Sequence, residues 1–370
     1  MCGYGRRDAG WLQARPEFDQ LHAQLLGQIV LPDRVLLYRA TSQGVTWTQA
    51  TVSKEDLLAD AERLERAVNS PATAMDAVDR ASRRVGELLL DPVGPLATAN
   101  ASAGLIFLEP DPLLGNLPWP SVANAAGDLG LASNLEESPS LLLTRPTPAT
   151  VGAPSARSLV VGASVASGES QLLPEVLQEA KAVALFDNDP NLLVGIQATQ
   201  PQVAAHLASA AAIHFAGHAG RRNGGTRLLL APSKEPGSAG SVPDTPWLDS
   251  ELLRKHPPRS ARLAVFSACS SGKNEAGWNH GMGDIVATLA YLGVPDVVAT
   301  RWQIDSGSAV PMMDAFYGGL SKGLTVPQAL TSARQSMVRD PRYRHPYYWA
   351  AWYASGAGTA DLSPLFHARN

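Results

Sequence analysis

Two residues that could form a pair of thiol and base each follow an apolar run directly. His218 comes directly after "AAIHFAG", and Cys269 comes directly after "RLAVFSA", 51 positions further along the chain. Short apolar runs of this kind are typical of buried strands in a parallel sheet. In open α/β sheets, reactive groups collect at the carboxyl ends of the strands. An imidazole within hydrogen-bond reach of a thiol can remove its proton and leave the nucleophilic thiolate. The pair therefore predicts Cys269 as a nucleophile and His218 as its base.

Both residues also have a plain structural interpretation. A buried cysteine at the end of a strand is commonly an inert small hydrophobe, and a single histidine on an apolar strand is commonly a core residue. The residues alone leave the two interpretations open, although small Gly and Ser neighbours favour a site. His214 lies four residues before His218, on the same face of the predicted strand, and is interpreted as structural.

Strand-like and helical runs alternate through the second part of the chain. This alternation is typical of a parallel sheet with helices on both faces, and such a sheet would bring strand ends together at one edge. The predicted strands cover residues 158–163, 191–195, 211–217, 261–267 and 295–301. The predicted helices cover about residues 174–187, 200–210, 282–293, 306–321 and 326–339.

The first part of the chain predicts a smaller set of elements. Apolar residues at helical spacing in "FDQLHAQLLGQI" favour a docking helix within residues 1–30, and the alternation that follows favours a hairpin over residues 34–53. Residues 111–140, rich in Pro, Gly and Asn, predict an irregular connection, and residues 145–158 predict a linker. The remaining elements are helices over about 54–69 and 75–90 and a short buried strand, "GLIFLE".

Several segments resemble, in the same order, the CHAT family of caspase- and separase-like cysteine peptidases. The resemblance covers about residues 100–357, and more weakly begins near residue 33. It implies an α/β fold with a caspase-like, mostly parallel sheet flanked by helices, in which residues 31–150 form a degenerate, non-catalytic peptidase-like half and residues 151–360 form the catalytic half. The segments that carry it include "LIFLEPDPLLGNLPWPSV", "HFAGHAG", "LAVFSACSSG", "GMGDIVATLAYLGVPDVVATRWQID" and "HPYYWAAWYASG".

The resemblance also implies roles for particular residues. His218 and Cys269 would form the catalytic dyad, and the backbone N–H groups of Cys269 and Ala219 would form the oxyanion hole. Ala219 stands where the family commonly has glycine. Substrate-binding residues are expected among those that follow the strands, and Asp305 would favour Arg or Lys before the cut bond unless it caps the next helix. These expected substrate-binding residues are Ser270, Trp302 and Asp305.

A long segment separates the two residues of the predicted dyad. Residues 219–258 are rich in Gly and Pro, which argues against continuous secondary structure, and loops of this length in compact domains are usually functional. We therefore expect this segment to lie beside the active site and to control access to it.

Composition narrows the expected partners and cofactors. A formal charge of −4 and a pI near 6.1 give no basic surface, so nucleic acid is not an expected partner. The chain has no secretory signal pattern and no apolar run that approaches the roughly 20 residues needed to span a bilayer. Its two cysteines favour a reducing, cytoplasmic setting without a structural disulfide. Nucleotide and zinc motifs are absent from the sequence, and no cofactor or metal is expected.

The sequence thus favours a cysteine endopeptidase that cleaves a specific protein partner. The family resemblance implies regulation by an upstream activator in a bacterial defence or cell-death pathway, with a pore-forming or other effector protein as one candidate substrate. A catalytically silent, caspase-like scaffold is the alternative, because such folds can serve as interaction modules.

Overall fold

The computed structural model describes residues 18, 21–96, 104–137, 157–164, 173–222, 225–233, 246–268, 283–356, 358 and 361–368. Within these residues the strands are β1 (Gln24–Val30), β2 (Arg34–Thr41), β3 (Gly44–Thr51), β4 (Leu105–Glu109), β5 (Ala123–Asn124), β6 (Gly127–Asp128), β7 (Asn134–Glu137), β8 (Arg157–Ala163), β9 (Asn191–Val194), β10 (Ala210–Gly217), β11 (Ala219–Arg222), β12 (Gly225–Leu229), β13 (Trp247–Asp249), β14 (Leu263–Ala268), β15 (Asp296–Thr300) and β16 (Trp352–Gly356). The α-helices are α1 (Lys54–Val68), α2 (Met75–Leu89), α3 (Leu129–Ala132), α4 (Pro174–Ala184), α5 (Gln200–Leu207), α6 (Ser250–Lys255), α7 (Asp284–Tyr291), α8 (Ser306–Leu320) and α9 (Val326–Arg339).

An eleven-stranded sheet in the order β3-β2-β1-β4-β7-β16-β15-β14-β10-β8-β9 forms the centre of the described part of the chain. Most neighbouring strands are parallel. The antiparallel pairs are β3 with β2, β2 with β1, and β16 with β15. This mostly parallel sheet, flanked by helices, confirms the predicted fold class. The strands predicted near residues 158–163, 191–195, 211–217, 261–267 and 295–301 are also confirmed.

Helices cover both faces of the sheet around β10 and β14. Every residue of β10 and of β14 is buried, as expected of strands covered on both faces. On one face, Phe215 and Phe266 share a core with α5, α6 and α7. On the opposite face, Ala212 and Val265 share a core with α4, α8 and α9. The strands that precede the predicted dyad are therefore held rigidly from both sides.

The prediction of a docking helix within residues 1–30 is wrong for residues 24–30, which form strand β1. This strand pairs in parallel with β4 and antiparallel with β2. Successive side chains of a strand point to opposite faces of the sheet, and accordingly Leu25 and Leu26 are both buried, but in two separate apolar cores. Tertiary pairing thus overrides the helical spacing of the leucines. Most of residues 1–20 lie outside the described residues.

Two other segments are more ordered than the sequence predicts. The region 111–140 contains β7, a four-residue strand in the middle of the sheet. Its sequence, "NLEE", lacks the apolar pattern of a buried strand. The described residues of region 219–258 contain a three-stranded sheet, β11-β12-β13, followed by α6, so the expectation of little continuous secondary structure is wrong for them. Residues 223–224 and 234–245 lie outside the described residues. The small sheet is held together by short antiparallel pairings. Its strands contain no long apolar run from which they could have been predicted.

The division of the chain into parts stays a prediction. Strand β7 of the first part pairs with β4 of that part and with β16 of the second, so one sheet crosses the proposed boundary at residue 150. Residues 145–156 of the predicted linker lie outside the described residues. Among the described helices, none combines the length and hydrophobicity that crossing a bilayer requires.

Candidate active site

Strands β10 and β14 bring the two predicted catalytic positions to the same edge of the sheet. The strands pair in parallel from Ala212 opposite Leu263 to Gly217 opposite Ala268. His218 follows Gly217 directly and is partly exposed. Cys269 follows Ala268 in the sequence, and both Cys269 and Ser270 lie outside the described residues. The structure thus places the last described residues of the two strands side by side.

Gly217 fixes the backbone immediately before His218. A Cβ added to this glycine would lie 2.9 Å from the carbonyl oxygen of Ala163 and 3.0 Å from the ring of Phe215. The contact with the Ala163 oxygen is closer than real Cβ atoms show and the contact with the Phe215 ring is tight, so only glycine fits here without displacement of a neighbour. On the other side, the carbonyl oxygen of His218 accepts a hydrogen bond of 2.9 Å from the N–H of Leu229. The backbone at His218 is therefore fixed from two directions.

The small sheet β11-β12-β13 begins at Ala219, beside the histidine. Ala219 lies opposite Leu228 in this sheet, and its predicted oxyanion role stays a prediction. The carboxylate of Asp284, the first residue of α7, accepts hydrogen bonds from the N–H of Thr226 (2.7 Å) and from the hydroxyl of Ser250 (2.8 Å). The small sheet and α6 are thereby tied to the start of the helix that follows residues 269–282.

A buried threonine lies on the other side of β14. The hydroxyl of Thr300, the last residue of β15, donates a 2.5 Å hydrogen bond to the carbonyl oxygen of Ala268. Ala268 is the residue directly before Cys269. Thr300 could not be found from the sequence, because one threonine at the end of an apolar strand has no recognisable spacing pattern.

Trp302 and Asp305 follow β15 at the same edge. The indole of Trp302 is only 3% exposed and donates from Nε1 to the carbonyl oxygen of Tyr347 at 3.1 Å, so little of it is available to a ligand in this structure. Asp305 is exposed, and its Oδ1 accepts a 2.8 Å hydrogen bond from the N–H of Ser308 at the start of α8. This is the helix-capping arrangement that the sequence allowed as the alternative. The substrate-binding roles of both residues stay predictions.

His214 belongs to a buried polar group beneath the strand end. Its Nε2 lies 3.3 Å from a carboxylate oxygen of Glu179 on α4, and its Nδ1 lies 3.2 Å from the hydroxyl of Tyr317 on α8. The side chains of His214 and Glu179 are at most 2% exposed. Burial, followed by the charge of Glu179, raises the pKa of Tyr317 well above its usual value. The histidine is thus enclosed in the core, although nothing in the sequence pairs these three residues.

A second buried charged group lies where the two parts of the sheet meet. The Arg301 guanidinium donates to Glu137 and lies over the ring of Tyr353, with 4.2 Å between the guanidinium carbon and the ring centroid. Arg334 donates to the carbonyl oxygen of Trp352 at 2.7 Å. Burial lowers the pKa of Arg334 to about 9, although Glu137 opposes this shift. Burial raises the pKa of Glu137, and Arg301 opposes that shift. Sequence reasoning missed this group too.

No cluster of three or more potential metal-ligating side chains occurs among the described residues. The polar groups near the strand ends include an imidazole, hydroxyls and backbone amides. Such groups can transfer protons and stabilise negative charge.

Comparisons with known proteins place this geometry in context. The family model of the CHAT domain matches residues 79–357. Two crystal structures of the Saccharomyces cerevisiae separase–securin complex match with TM-scores of 0.61 and 0.54, at 10% sequence identity and over 94% of this chain. The Arg-specific cysteine proteinase gingipain R matches over 84% of this chain and 74% of its own at 10% identity, with a TM-score of 0.41, which is too weak to carry an argument. No curated protein matches the chain.

The likeness to the separase structures shows the fold alone, because only 10% of the residues are identical. The chain spans 30% and 31% of the two chains it matches in these complexes. The mostly parallel α/β sheet is therefore shared with a caspase-like peptidase fold, and the chemistry has to be argued from the residues of this chain.

Proposed function

Because the chain belongs to the CHAT domain family, we propose that it is a caspase-like cysteine endopeptidase with His218 and Cys269 as its catalytic dyad. One observation carries the proposal. Strands β10 and β14 are parallel neighbours with Gly217 opposite Ala268, and the next residue after each is one member of the dyad. This register supports a short imidazole–thiol distance, since adjacent parallel strands lie only about 5 Å apart.

The reaction begins with proton transfer. A free thiol has a pKa near 8.5 and is mostly protonated at neutral pH, so a nearby base is needed to form the thiolate. His218 takes the proton of the Cys269 thiol, and the sulfur then forms a bond to the carbonyl carbon of the substrate peptide. The electron pair of the carbonyl double bond moves to the oxygen, which becomes an oxyanion in the tetrahedral intermediate.

The oxyanion needs fixed hydrogen-bond donors. The proposed donors are the backbone N–H groups of Ala219 and Cys269, since backbone amides need no reorganisation as charge develops. The backbone around Ala219 is held by the small sheet and by the bond from Leu229 to the carbonyl of His218. This rigidity supports Ala219 as a donor even though the family commonly has glycine at this position.

The intermediate collapses when the carbon–nitrogen bond breaks. The protonated His218 gives its proton to the leaving amine, and the acyl group remains on Cys269 as a thioester. Water, deprotonated by the same imidazole, then attacks the thioester carbon and releases the carboxylic acid product with the free thiol. No cofactor takes part in these proposed reaction steps.

The proposed substrate is a defined protein partner, and the proposed setting is cytoplasmic and subject to an upstream activator. Within a bacterial defence or cell-death pathway, a pore-forming or other effector protein is the candidate substrate. Ser270, Trp302 and Asp305 are the proposed substrate-binding residues. Asp305 uses Oδ1 to cap α8, and Oδ2 is the oxygen proposed to bind a basic side chain before the cut bond. The alternative is a catalytically silent scaffold with the same fold.

Identification of new protein N-termini in a lysate tests the proposal. The wild-type chain should generate a small set of new N-termini, whereas Cys269→Ala should generate none. Arg or Lys should precede the cut bonds if Asp305 contributes to the first pocket. Cys2→Ala is the matched control because it removes the other cysteine of the chain, and it should cleave like wild type. Equal cleavage by Cys269→Ala would exclude the dyad, and absence of cleavage by every activated form would favour the scaffold.

A further inference from the structure

Thr300 is a completely buried hydroxyl at the carboxyl edge of the sheet. It ends β15, on the side of β14 that faces away from β10. Its hydroxyl donates the 2.5 Å hydrogen bond to the carbonyl oxygen of Ala268. Neighbouring positions of the strand, Val297, Val298 and Ala299, are apolar and equally buried. Packing alone would accept valine at position 300, which has the same shape without the hydroxyl.

The acceptor of this bond, the carbonyl oxygen of Ala268, belongs to the peptide group that joins Ala268 to the proposed nucleophile Cys269. The carbonyl of Ala268 and the N–H of Cys269 are parts of one planar peptide unit. A hydrogen bond to the oxygen of that unit restricts rotation of the whole plane, and therefore the direction of the N–H. It also polarises the amide, which strengthens the N–H as a donor, because hydrogen bonds in a chain reinforce one another.

Thr300 is itself held firmly in place. It lies opposite Trp352 in the ladder between β15 and β16, and the N–H of the next residue, Arg301, donates to the carbonyl oxygen of Ala351 at 3.0 Å. Threonine is branched at Cβ, so its χ1 angle has few accessible rotamers. The hydroxyl is thus presented to Ala268 by a rigid strand end.

We propose that Thr300 is a positioning residue for the oxyanion hole: through the carbonyl of Ala268 it orients and strengthens the Cys269 N–H that receives the oxyanion of the substrate. This inference rests on the proposed function, since only a nucleophilic Cys269 gives its N–H that task. Thr300 does not touch the reacting atoms. Its effect is expected on the transition state, where negative charge develops, and not on formation of the thiolate.

Three variants separate this role from a structural one. Thr300→Val keeps the shape and removes the hydroxyl, whereas Thr300→Ser keeps the hydroxyl. Thr331→Val is the matched control, because the buried hydroxyl of Thr331 also donates to a backbone carbonyl, that of Ser133 at 3.1 Å, at a position distant in sequence from either strand end. All three variants are compared with wild type in cleavage of a peptide selected from a library.

The kinetic expectation distinguishes the oxyanion step from thiol activation. Loss of an entire oxyanion donor costs roughly 100- to 1,000-fold in turnover, so a weakened donor in Thr300→Val should cost about tenfold in kcat with little change in KM. Affinity for the corresponding peptide aldehyde, which forms a tetrahedral adduct, should fall in parallel. Alkylation of Cys269 by iodoacetamide, which develops no oxyanion, should keep its wild-type rate. Thr300→Ser should recover most of the loss, and Thr331→Val should show none.

An amide signal tests the same contact without any turnover. Labelling with ¹⁵N-cysteine gives one amide for each of the two cysteines, and Cys2→Ala assigns them. The Cys269 amide proton should shift upfield in Thr300→Val and stay near its wild-type position in Thr300→Ser. An unchanged signal, or equal losses of turnover and alkylation, would overturn the inference and leave the dyad intact. Normal proteolysis by Cys269→Ala would instead overturn the proposed function, and with it the catalytic role of Thr300.

Discussion

His214 and His218 are four residues apart in one strand and its immediate continuation, yet their surroundings differ completely. His214 is enclosed between Glu179 and Tyr317, where its two ring nitrogens face a carboxylate and a hydroxyl. His218 is partly exposed at the edge of the sheet. The His214 imidazole is therefore enclosed in the core, whereas His218 is partly accessible. This difference supports a structural role for His214 and the proposed catalytic role for His218.

Buried carboxylates in this fold are costly to ionise. Burial raises the pKa of Glu136 well above its usual value, and the neighbouring Asp296 and Glu137 carboxylates raise it further. Burial also raises the pKa of Asp296 to about 6, although the N–H of Gly358 and the charge of Arg262 oppose this shift. A raised pKa means that the folded state holds the proton to a higher pH than the unfolded chain. Ionisation of these groups therefore destabilises the fold.

Asp296→Asn should increase the free energy of unfolding at neutral and alkaline pH. The free-energy cost of ionising Asp296 in the folded state is absent below about pH 4, grows between about pH 4 and 6, and is complete above about pH 6. A shift from 3.8 to about 6 corresponds to about 3 kcal/mol at pH 8, and about half of this gain should remain at pH 5. Asparagine keeps an oxygen for the 2.7 Å hydrogen bond from Gly358. Urea unfolding at the two pH values measures the difference.

The exposed Asp91 provides the control for this substitution. Asp91→Asn should change the free energy of unfolding by less than about 0.5 kcal/mol at both pH values. A gain from Asp296→Asn that did not depend on pH, or a loss of stability at pH 8, would contradict the assignment of Asp296 as a carboxylate that is costly to ionise.

The register between β10 and β14 depends on a small residue at the strand end. Gly217 lies in close contact with β8 on one side and with the ring of Phe215 on the other. Because β10 is buried on both faces and hydrogen-bonded along both edges, an added methyl group cannot be accommodated by rotation of a side chain alone. The backbone that leads to His218 would have to move.

Gly217→Ala should therefore lower both stability and turnover. Overpacking of a buried site typically costs about 1 to 3 kcal/mol, and displacement of His218 should reduce kcat/KM for peptide cleavage. Gly318→Ala in α8 is the matched control, because a Cβ there meets nothing within 4 Å, and alanine in a helix should stabilise by about 0.5 to 1 kcal/mol. A Gly217→Ala protein as stable and as active as wild type would show that the strand end tolerates movement.

Across the molecule, the elements with strong local patterns could be predicted from the sequence. The apolar runs of β8, β10, β14 and β15 and the amphipathic helices between them are present as expected, and Thr325 with Gln328 forms a capping box at the start of α9. The parallel direction of these strands, and hence the meeting of their carboxyl ends at one edge of the sheet, follows from the same alternation. The predicted catalytic residues themselves had to be inferred from a family resemblance, since periodicity alone left them undecided.

The remaining elements depend on contacts between distant parts of the chain. Strand β7 contains Glu137, whose burial is offset by Arg301 and Arg334, roughly 165 to 200 positions further along. Strand β1 has helical spacing and becomes a strand because β2 and β4 pair with it. Thr300 belongs to no recognisable sequence pattern, and its proposed role is inferred only from its hydrogen bond to Ala268. Local sequence contains none of these relationships.

The pH dependence of Cys269 alkylation shows whether His218 activates this thiol. The rate of reaction with iodoacetamide follows the thiolate fraction, and mass spectrometry of the peptides separates Cys269 from Cys2, which serves as an internal reference. Wild type should show an inflection well below pH 8.5, since a neighbouring imidazolium stabilises the thiolate. His218→Ala should move that inflection up to about 8.5 or above, with the Cys2 profile unchanged. Identical Cys269 profiles in the two proteins would contradict the dyad.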